Sequence, residues 1–495
     1  MPINFKSLRA PLSFLQDVLG DLPNREALRA YQVWWESEGK AISEATDRAG
    51  TPWVRMFDRF GKRVDEILFP PEYWAMLKKG YQAGVVWRAF EEQSLLPAYH
   101  FLDITAFYDP GLACPYTVSL ATAVPLAKYG DTALKERFLP SMLRKDDRVS
   151  QGATWMTEIK GGSDLGANVE TVAVAEGERW LLTGDKYFAS NAGAELAMVA
   201  ARPRGASQDV RGLALFLVPR YRESGELNYT IRRLKDKIAT RSVPTGEVEL
   251  RESEAYLLGP AEWGIYLILE VLNVSRVANS VGSVALAQRA MADALEFAER
   301  RVAFGKPIFE HALLRKQFDE RLSGLRAAFA LAWEAAGLLD EVWQQRPPYS
   351  SRYHLFRLVA HLAKYWTAEF AAQTAKWSME VHGGLGTLEE YGVERWLREA
   401  MILAIWEGTP HRQALDALEV MERKQAHRTL FQHLGSCASP ADLRAMEARV
   451  ADSLALPVEQ REAGAETLIR DLASFTAGAL SRARAAARVA TPPPV

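Results

Sequence analysis

The spacing of apolar residues along this chain changes period twice, and that limits the folds open to it. Over 1–152 the pattern is helical. Leu12, Phe14, Leu15, Val18, Leu19 and Leu22 recur at helical spacing, and Tyr73 to Phe101 is apolar and aromatic without strict alternation. Pro110-Gly111 and Pro115 predict a break between helices. Over 153–262 the texture becomes strand-like. Thr171 to Val174, then Glu176-Gly177-Glu178, then Trp180 to Gly184 predict a hairpin. Further strands are expected at Leu196 to Ala200, Leu213 to Val218 and Glu247 to Leu250. Over 263–425 long helical patterns return, with Pro307 the only proline from Val271 to Leu339, and they predict an antiparallel bundle. The remainder, 426–495, is set off by Ser436 to Pro440 and Pro457; it reads as a helical appendage ending in the tail Pro492-Pro493-Pro494. Helices, then strands, then helices make an α+β layout.

At 495 residues the chain is too long for one simple core. Hydrophobic residues at 48% and charged residues at 25% are ordinary for a globular protein. A net charge of -2 gives no global electrostatic reason to expect nucleic acid or anionic membrane as a partner. Cys114 and Cys437 are far apart and in no ligand spacing, which argues against a metal site or a disulfide framework and fits a reducing compartment. Met1 to Lys6 lacks the charged and apolar regions of a signal peptide, and no uncharged run nears the roughly 18 apolar residues of a membrane span. A cytoplasmic protein with no membrane partner is expected.

The chemistry is carried by loops. In Ala404-Ile405-Trp406-Glu407-Gly408-Thr409 one carboxylate sits in a mostly apolar run before a glycine. Poor hydration favours its neutral form, which suits a general base acting on carbon near neutral pH. A solvated glutamate at a helix start fits the hexapeptide as well. Met156-Thr157-Glu158-Ile159-Lys160-Gly161-Gly162-Ser163-Asp164 places two hydroxyls around two glycines, where backbone amides can approach a polar ring or a phosphate. Phe188 precedes Ser190 by two residues, so an aromatic face could stack on a flat heterocycle while the hydroxyl meets its edge. Arg301 supplies a fixed cation suited to a diphosphate, and Gly383-Gly384 permits close backbone approach to one. Singly, each of these also fits a plain turn, a core aromatic or a helix-end charge.

In this order the segments resemble the acyl-CoA dehydrogenase superfamily of flavoproteins, over about residues 60 to 425. The AidB-like, alkylation-response branch is the most similar. Met156-Thr157-Glu158-x-x-Gly161-Gly162-Ser163-Asp164, Arg233-Leu234-Lys235-Asp236-Lys237 with Thr240-Arg241-Ser242, Ile405-Trp406-Glu407-Gly408 and the extension beyond residue 426 carry that likeness. The resemblance implies an N-terminal helical domain, a central β domain and a C-terminal four-helix bundle with FAD between them. It implies that Met156, Thr157 and Ser163 line the flavin. Phe188 stands where tryptophan usually lies against the ring system, and Ser190 where a threonine lies near N5. Arg301, Phe304 and the backbone of Gly383 and Gly384 would reach the FAD of a neighbouring subunit, and Thr409 the cofactor beyond the base. Shared sites of this kind imply a dimer, normally paired into a dimer of dimers.

By the same resemblance Glu407 is the base that takes the α-proton of an acyl-CoA thioester, with hydride leaving the β-carbon for flavin N5. Ser163, Arg276 and Gly408 are the implied substrate contacts. Relatives acting on branched chains carry their base directly before an arginine in the first bundle helix; here that position is Ser275, before Arg276, which leaves Glu407 without a rival. Ala312, Glu380 and His411 stand where the family often has glutamine, so those contacts to FAD are expected to differ. The expected activity is dehydrogenation of a short or branched acyl-CoA, with electron-transfer flavoprotein or another acceptor as electron partner. The alternative is an AidB-like protein that binds double-stranded DNA, with Arg482, Arg484 and Arg488 on one helical face and Arg423, Lys424 and Arg428 as a second small patch. A flavin monooxygenase or nitroalkane oxidase is the third reading, disfavoured because the base position holds glutamate.

Overall fold

The computed structural model describes residues 5–490, with side chains to 487. The N-terminal residues 1–4, the Arg488 side chain and the proline tail therefore lie outside the described residues. In chain order the elements are α1 (Pro11–Leu19), α2 (Arg25–Trp34), α3 (Lys40–Ala49), β1 (Trp53–Phe57), β2 (Arg63–Leu68), α4 (Pro71–Ala83), α5 (Trp87–Glu91), α6 (Leu96–Tyr108), α7 (Ala113–Tyr129) and α8 (Thr132–Met142). Seven strands follow: β3 (Gly152–Trp155), β4 (Val172–Glu176), β5 (Arg179–Ser190), β6 (Leu196–Pro203), β7 (Ala214–Pro219), β8 (Thr230–Leu234) and β9 (Thr245–Leu257). Then come α9 (Gly264–Arg300), the two-residue strands β10 (Val302–Ala303) and β11 (Lys306–Pro307), α10 (Ala312–Val342), α11 (Ser351–His382), α12 (Val393–Ile405), α13 (Pro410–Lys424), α14 (Ala426–His433), α15 (Pro440–Leu454) and α16 (Val458–Ala490). The chain divides into two compact units, Val33–Ser275 and the remainder, Met1–Gln32 with Arg276–Val495.

In the unit Val33–Ser275, strands β6, β4, β5, β9 and β7 pair in turn and β7 returns to β6, closing a ring flanked by β3 on β6 and β8 on β9. The expected hairpin is β4–β5, with Val172 opposite Thr183 and Glu176 opposite Arg179. Gly177, at φ 63, supplies the turn conformation that a side chain disfavours. Ala173, Leu182, Val199, Phe216, Ile231 and Val248 fill the interior. Two local expectations need correction. The first 152 residues are not all helical: β1 and β2 form an antiparallel hairpin, Trp53 opposite Leu68. Along β1 exposed and half-buried residues alternate, a period of two that a search for helical stripes passes over. Pro115 does not break a helix either; it sits in the first turn of α7, where its missing N–H would have had no partner.

Asp103 is fully buried on α6, and neither carboxylate oxygen has a hydrogen-bond partner among the described residues. Burial alone pushes its carboxyl well above the ordinary aspartate range. A raised folded-state pKa means the native state binds the proton more tightly than the unfolded chain. Its stabilising contribution is therefore full below the unfolded value of about 3.9 and declines as pH rises towards the folded value. Asp103→Asn is expected to remove that decline. Thermal midpoints taken from pH 5 to 9 should fall less steeply with pH in the variant, and equal slopes would show that the carboxyl is ionised in the native protein.

In the other unit, α11 packs against α10, α12, α13 and α14. From α9, Ala290 O accepts a hydrogen bond from Ser378 Oγ of α11 at 2.8 Å. Helix α16 lies on α10, α11 and α13, burying Leu468, Ile469, Leu472 and Leu480. Helix α10 is long and apolar enough to cross a membrane by length and composition, but 67% of its apolar window is buried within the fold. Of the basic residues named from the two small patches, Arg484 meets Glu334 at 3.5 Å and Arg423 meets Glu419 at 3.0 Å. Cys114 and Cys437 are both free thiols.

Candidate active site

Helix α12 ends at Ile405, and Trp406 N–H still bonds Ile402 O at 3.0 Å. The next residue, Glu407, turns into the left-handed region at φ 57, uncommon for a side chain-bearing residue, and Gly408 follows at φ 105. Thr409 then opens α13, its side chain accepting from Arg412 N. A helix that stops leaves carbonyls without partners. Here buried side chains from three neighbouring helices fill them. Asn279 Nδ2 donates to Leu403 O at 3.1 Å, and Lys364 Nζ to Ala404 O at 2.9 Å and Gly408 O at 2.5 Å. Gln413 Nε2 donates to Glu407 O at 2.9 Å and Gly408 O at 3.2 Å, while Arg276 Nε reaches Glu407 O at 3.3 Å. His361 Nδ1 lies 2.8 Å from Gln413 Oε1, which leaves the amide nitrogen of Gln413 facing the carbonyls.

Burial pushes the Glu407 carboxyl up to about 7, with Arg276 and Lys364 opposing the rise. Lys364 is pushed down to about 7 by the same burial, with the charge of Glu407 opposing. Burial works against ionised Asp416, but His361, Arg276 and Arg412 together hold it below the usual carboxylate range. Arg276 NH2 lies 3.4 Å from Asp416 Oδ2. Its guanidinium thus spans a carbonyl of the base loop and a half-buried carboxylate. A Cβ at Gly408 would sit 2.5 Å from Gln413 Nε2, at a φ that L residues rarely adopt. Gly408→Ala is accordingly expected to cost about 1–3 kcal/mol in strain and to displace the Gln413 amide; denaturant unfolding of the variant would check this, an unchanged midpoint counting against it.

The other residues of this unit named from sequence lie away from that loop along the chain. Gly383, at φ 62, ends α11, and around both Gly383 and Gly384 nothing lies within 4 Å of where a Cβ would stand. Arg301 is exposed, and Phe304 is 97% exposed in the β10–β11 turn at φ 52.

In the unit Val33–Ser275 the loop after β3 is shaped by a residue that sequence reasoning gave no role. Glu158 is buried and takes hydrogen bonds from Lys186 Nζ at 2.6 Å, Glu170 N at 2.7 Å, Thr171 N at 3.2 Å and Thr171 Oγ1 at 2.5 Å. Tyr187 N donates to Thr157 O at 3.0 Å, which brings the loop beside the end of β5. Met156 is buried, Thr157 half-buried and Ser163 exposed. Phe188 is 53% exposed, with Lys235 Nζ 4.7 Å from its ring centre. Ser190 Oγ lies 3.3 Å from Thr245 Oγ1, which takes a hydrogen bond from Lys237 Nζ at 3.0 Å. A half-exposed aromatic ring with hydroxyls on either side is a donor set that suits a flat heterocycle with a polar edge. In the other unit, taken by itself, exposed Arg301 and the open Gly383-Gly384 backbone suit an anionic group such as a diphosphate.

Residues 153–253 match the acyl-CoA dehydrogenase middle domain and residues 262–455 its C-terminal domain, while residues 10–147 match the N-terminal domain of the adaptive response protein AidB. The chain belongs to the acyl-CoA dehydrogenase superfamily. Within it, the AidB N-terminal domain marks the AidB-like branch. The chain is 29% identical over 397 residues to acyl-CoA dehydrogenase family member 11 of Caenorhabditis elegans, an alignment covering 76% of this chain and 63% of that protein. To Escherichia coli AidB it is 28% identical over 391 residues, 75% of this chain and 70% of that one. The crystal structure of Caenorhabditis elegans ACDH-11 in complex with C11-CoA has the same fold, with a TM-score of 0.85 at 24% identity, covering 96% of this chain and 87% of that chain. This superfamily member thus spans 63% of the length of its nematode relative.

Proposed function

We propose that the protein is an FAD-dependent acyl-CoA dehydrogenase in which Glu407 is the catalytic base. The observation that carries this reading is a part-buried carboxyl, pushed up to about 7, on a loop whose carbonyls are held by four side chains from three helices. A base of that pKa is substantially ionised at neutral pH and still basic enough to take a proton from carbon. Membership of the superfamily and the donor set described above support FAD as the cofactor. Met156, Thr157, Ser163, Phe188, Ser190, Arg301, Phe304, Gly383, Gly384 and Thr409 are the residues that would hold it. When bound, FAD supplies the hydride acceptor.

What the chain itself contributes is a proton transfer and its electrostatic support. Glu407 removes the α-proton, and charge builds on the thioester oxygen as it does so. Glu407 N–H has no acceptor among the described residues, and an N–H of that kind can meet the growing charge. The positive backbone φ at Glu407 sets the direction of both that N–H and the carboxyl. Arg276 supports the loop through Glu407 O and Asp416, so its effect on the thioester runs through the position of the base.

An acyl-CoA is the substrate class, and the nematode relative's complex with C11-CoA makes a medium-length chain as suitable a first probe as a short or branched one. A cytoplasmic, homo-oligomeric enzyme passing electrons to an electron-transfer flavoprotein completes the reading. The duplex-DNA alternative gains nothing from Arg484 of the appendage or Arg423 at the end of α13, both of which are paired with carboxylates. The direct test is anaerobic addition of a panel of acyl-CoAs to the FAD-loaded protein. Bleaching of the flavin by at least one thioester is expected; a flavin left fully oxidised by all of them would refute the proposal.

A further inference from the structure

We propose that Lys364 is the positioning residue of this site, its ammonium anchored by the carbonyls on both sides of Glu407 so that its charge is held beside the base. This rests on reading Glu407 as the base. Lys364 is 1% exposed on α11, and its Nζ spends two hydrogen bonds on Ala404 O and Gly408 O. Those carbonyls bracket the residue whose backbone takes the left-handed turn. A neutral donor would satisfy them as well, so a buried ammonium needs a further reason. The reason is its charge. The Lys364 cation favours ionised Glu407, and burial disfavours it.

The other groups around the base do not duplicate that arrangement. From α9, Arg276 also favours the carboxylate, but it divides its guanidinium between Glu407 O and Asp416. From α13, Arg412 pairs with Asp416 at 2.5 Å, and Gln413 is uncharged. On α11, His361 is driven down to about 3 by burial, with Arg276 adding to the effect, so it is neutral at working pH. Arg357 acts on Arg276 and His361, and Glu369 on Lys364. Arg276 shares its guanidinium with Asp416, whereas Lys364 spends its charged head on the two carbonyls that bracket the base.

The test separates charge from packing. The protonated carboxyl of Glu407 is followed by infrared difference titration, each protein against its Glu407→Gln counterpart, and the rate of flavin bleaching by an acyl-CoA is followed over the same pH range. Lys364→Met should move the titration about one pH unit or more upward. Bleaching should then slow about fivefold at pH 7, because one unit of pKa takes the base from about half ionised to about a tenth, and recover towards pH 9. Lys364→Arg should leave the titration within a few tenths of a unit of its original position. Lys364→Gln, which keeps donors without charge, should behave as Lys364→Met, and it serves in its place if the methionine variant does not fold. A rate lowered equally at all pH, with the carboxyl titration unmoved, would overturn the proposal. Bleaching that survives Glu407→Gln would instead sink the assignment of the base, while the infrared arm would still report on Lys364.

Discussion

Glu407→Gln is expected to lower the rate of flavin bleaching by an acyl-CoA about 10²–10⁴-fold, the usual range for loss of a positioned general base. Fold and FAD content should stay the same. The amide has nearly the shape of the carboxyl and keeps the backbone through which Arg276, Lys364 and Gln413 hold the loop. It cannot take a proton from carbon. Stopped-flow bleaching, with the visible spectrum and thermal midpoint as controls, would measure the effect. In the unaltered protein the rate of the uncomplexed enzyme should rise with pH through about 7, because burial places the carboxyl there. A substituted protein that still bleached within tenfold of the original rate would require another base.

A second large effect is expected far along the chain from the base. Glu158→Gln strands Lys186, whose side chain is fully buried and whose other hydrogen bond goes to Ala200 O at 2.7 Å. Removing one partner of a buried ion pair typically costs about 3–5 kcal/mol, because the remaining charge is left unpaired in the interior. Pairing Glu158→Gln with Lys186→Met should return much of that loss, since a neutral side chain of similar length then fills the space. The sign with pH follows from the carboxyl. Burial opposes ionised Glu158, but Lys186, Thr171 and Glu170 N hold it below the ordinary glutamate range. Its contribution is therefore full above the unfolded value of about 4.3 and is lost as pH falls through the folded one. Denaturant unfolding at pH 7 and pH 4 would measure both effects. The loop from Met156 to Asp164 hangs on this carboxylate, so retained FAD should fall in parallel; a single variant as stable as the original would show that Lys186 finds water.

The residues that reading the sequence missed share a physical cause. Asn279, Lys364 and Gln413 converge on the base loop, yet Lys364 precedes Gly408 by 44 residues and Asn279 precedes Leu403 by 124. Each looks in sequence like one more polar residue on a long helix. Only the packing of α9, α11 and α13 around the end of α12 gives them a shared target. Arg276 was legible because a family pattern drew attention to it, but its partners, Asp416 and Glu407 O, were not. Glu158 stood inside a recognised motif, and its four donors come from residues 170, 171 and 186, which only the strand pairing collects. The β1–β2 hairpin was passed over because five-residue strands in a helical neighbourhood give too short a run of alternation to stand out.

By itself the sequence determined the order of helix, strand and helix, the β4–β5 hairpin, the superfamily and the carboxylate at position 407. Those depend on local period, turn residues and short motifs, all written in consecutive residues. Tertiary structure decided how that carboxylate is held and charged. Desolvation and opposing cations set its proton affinity, and both are sums over neighbours that the chain brings in from distant helices.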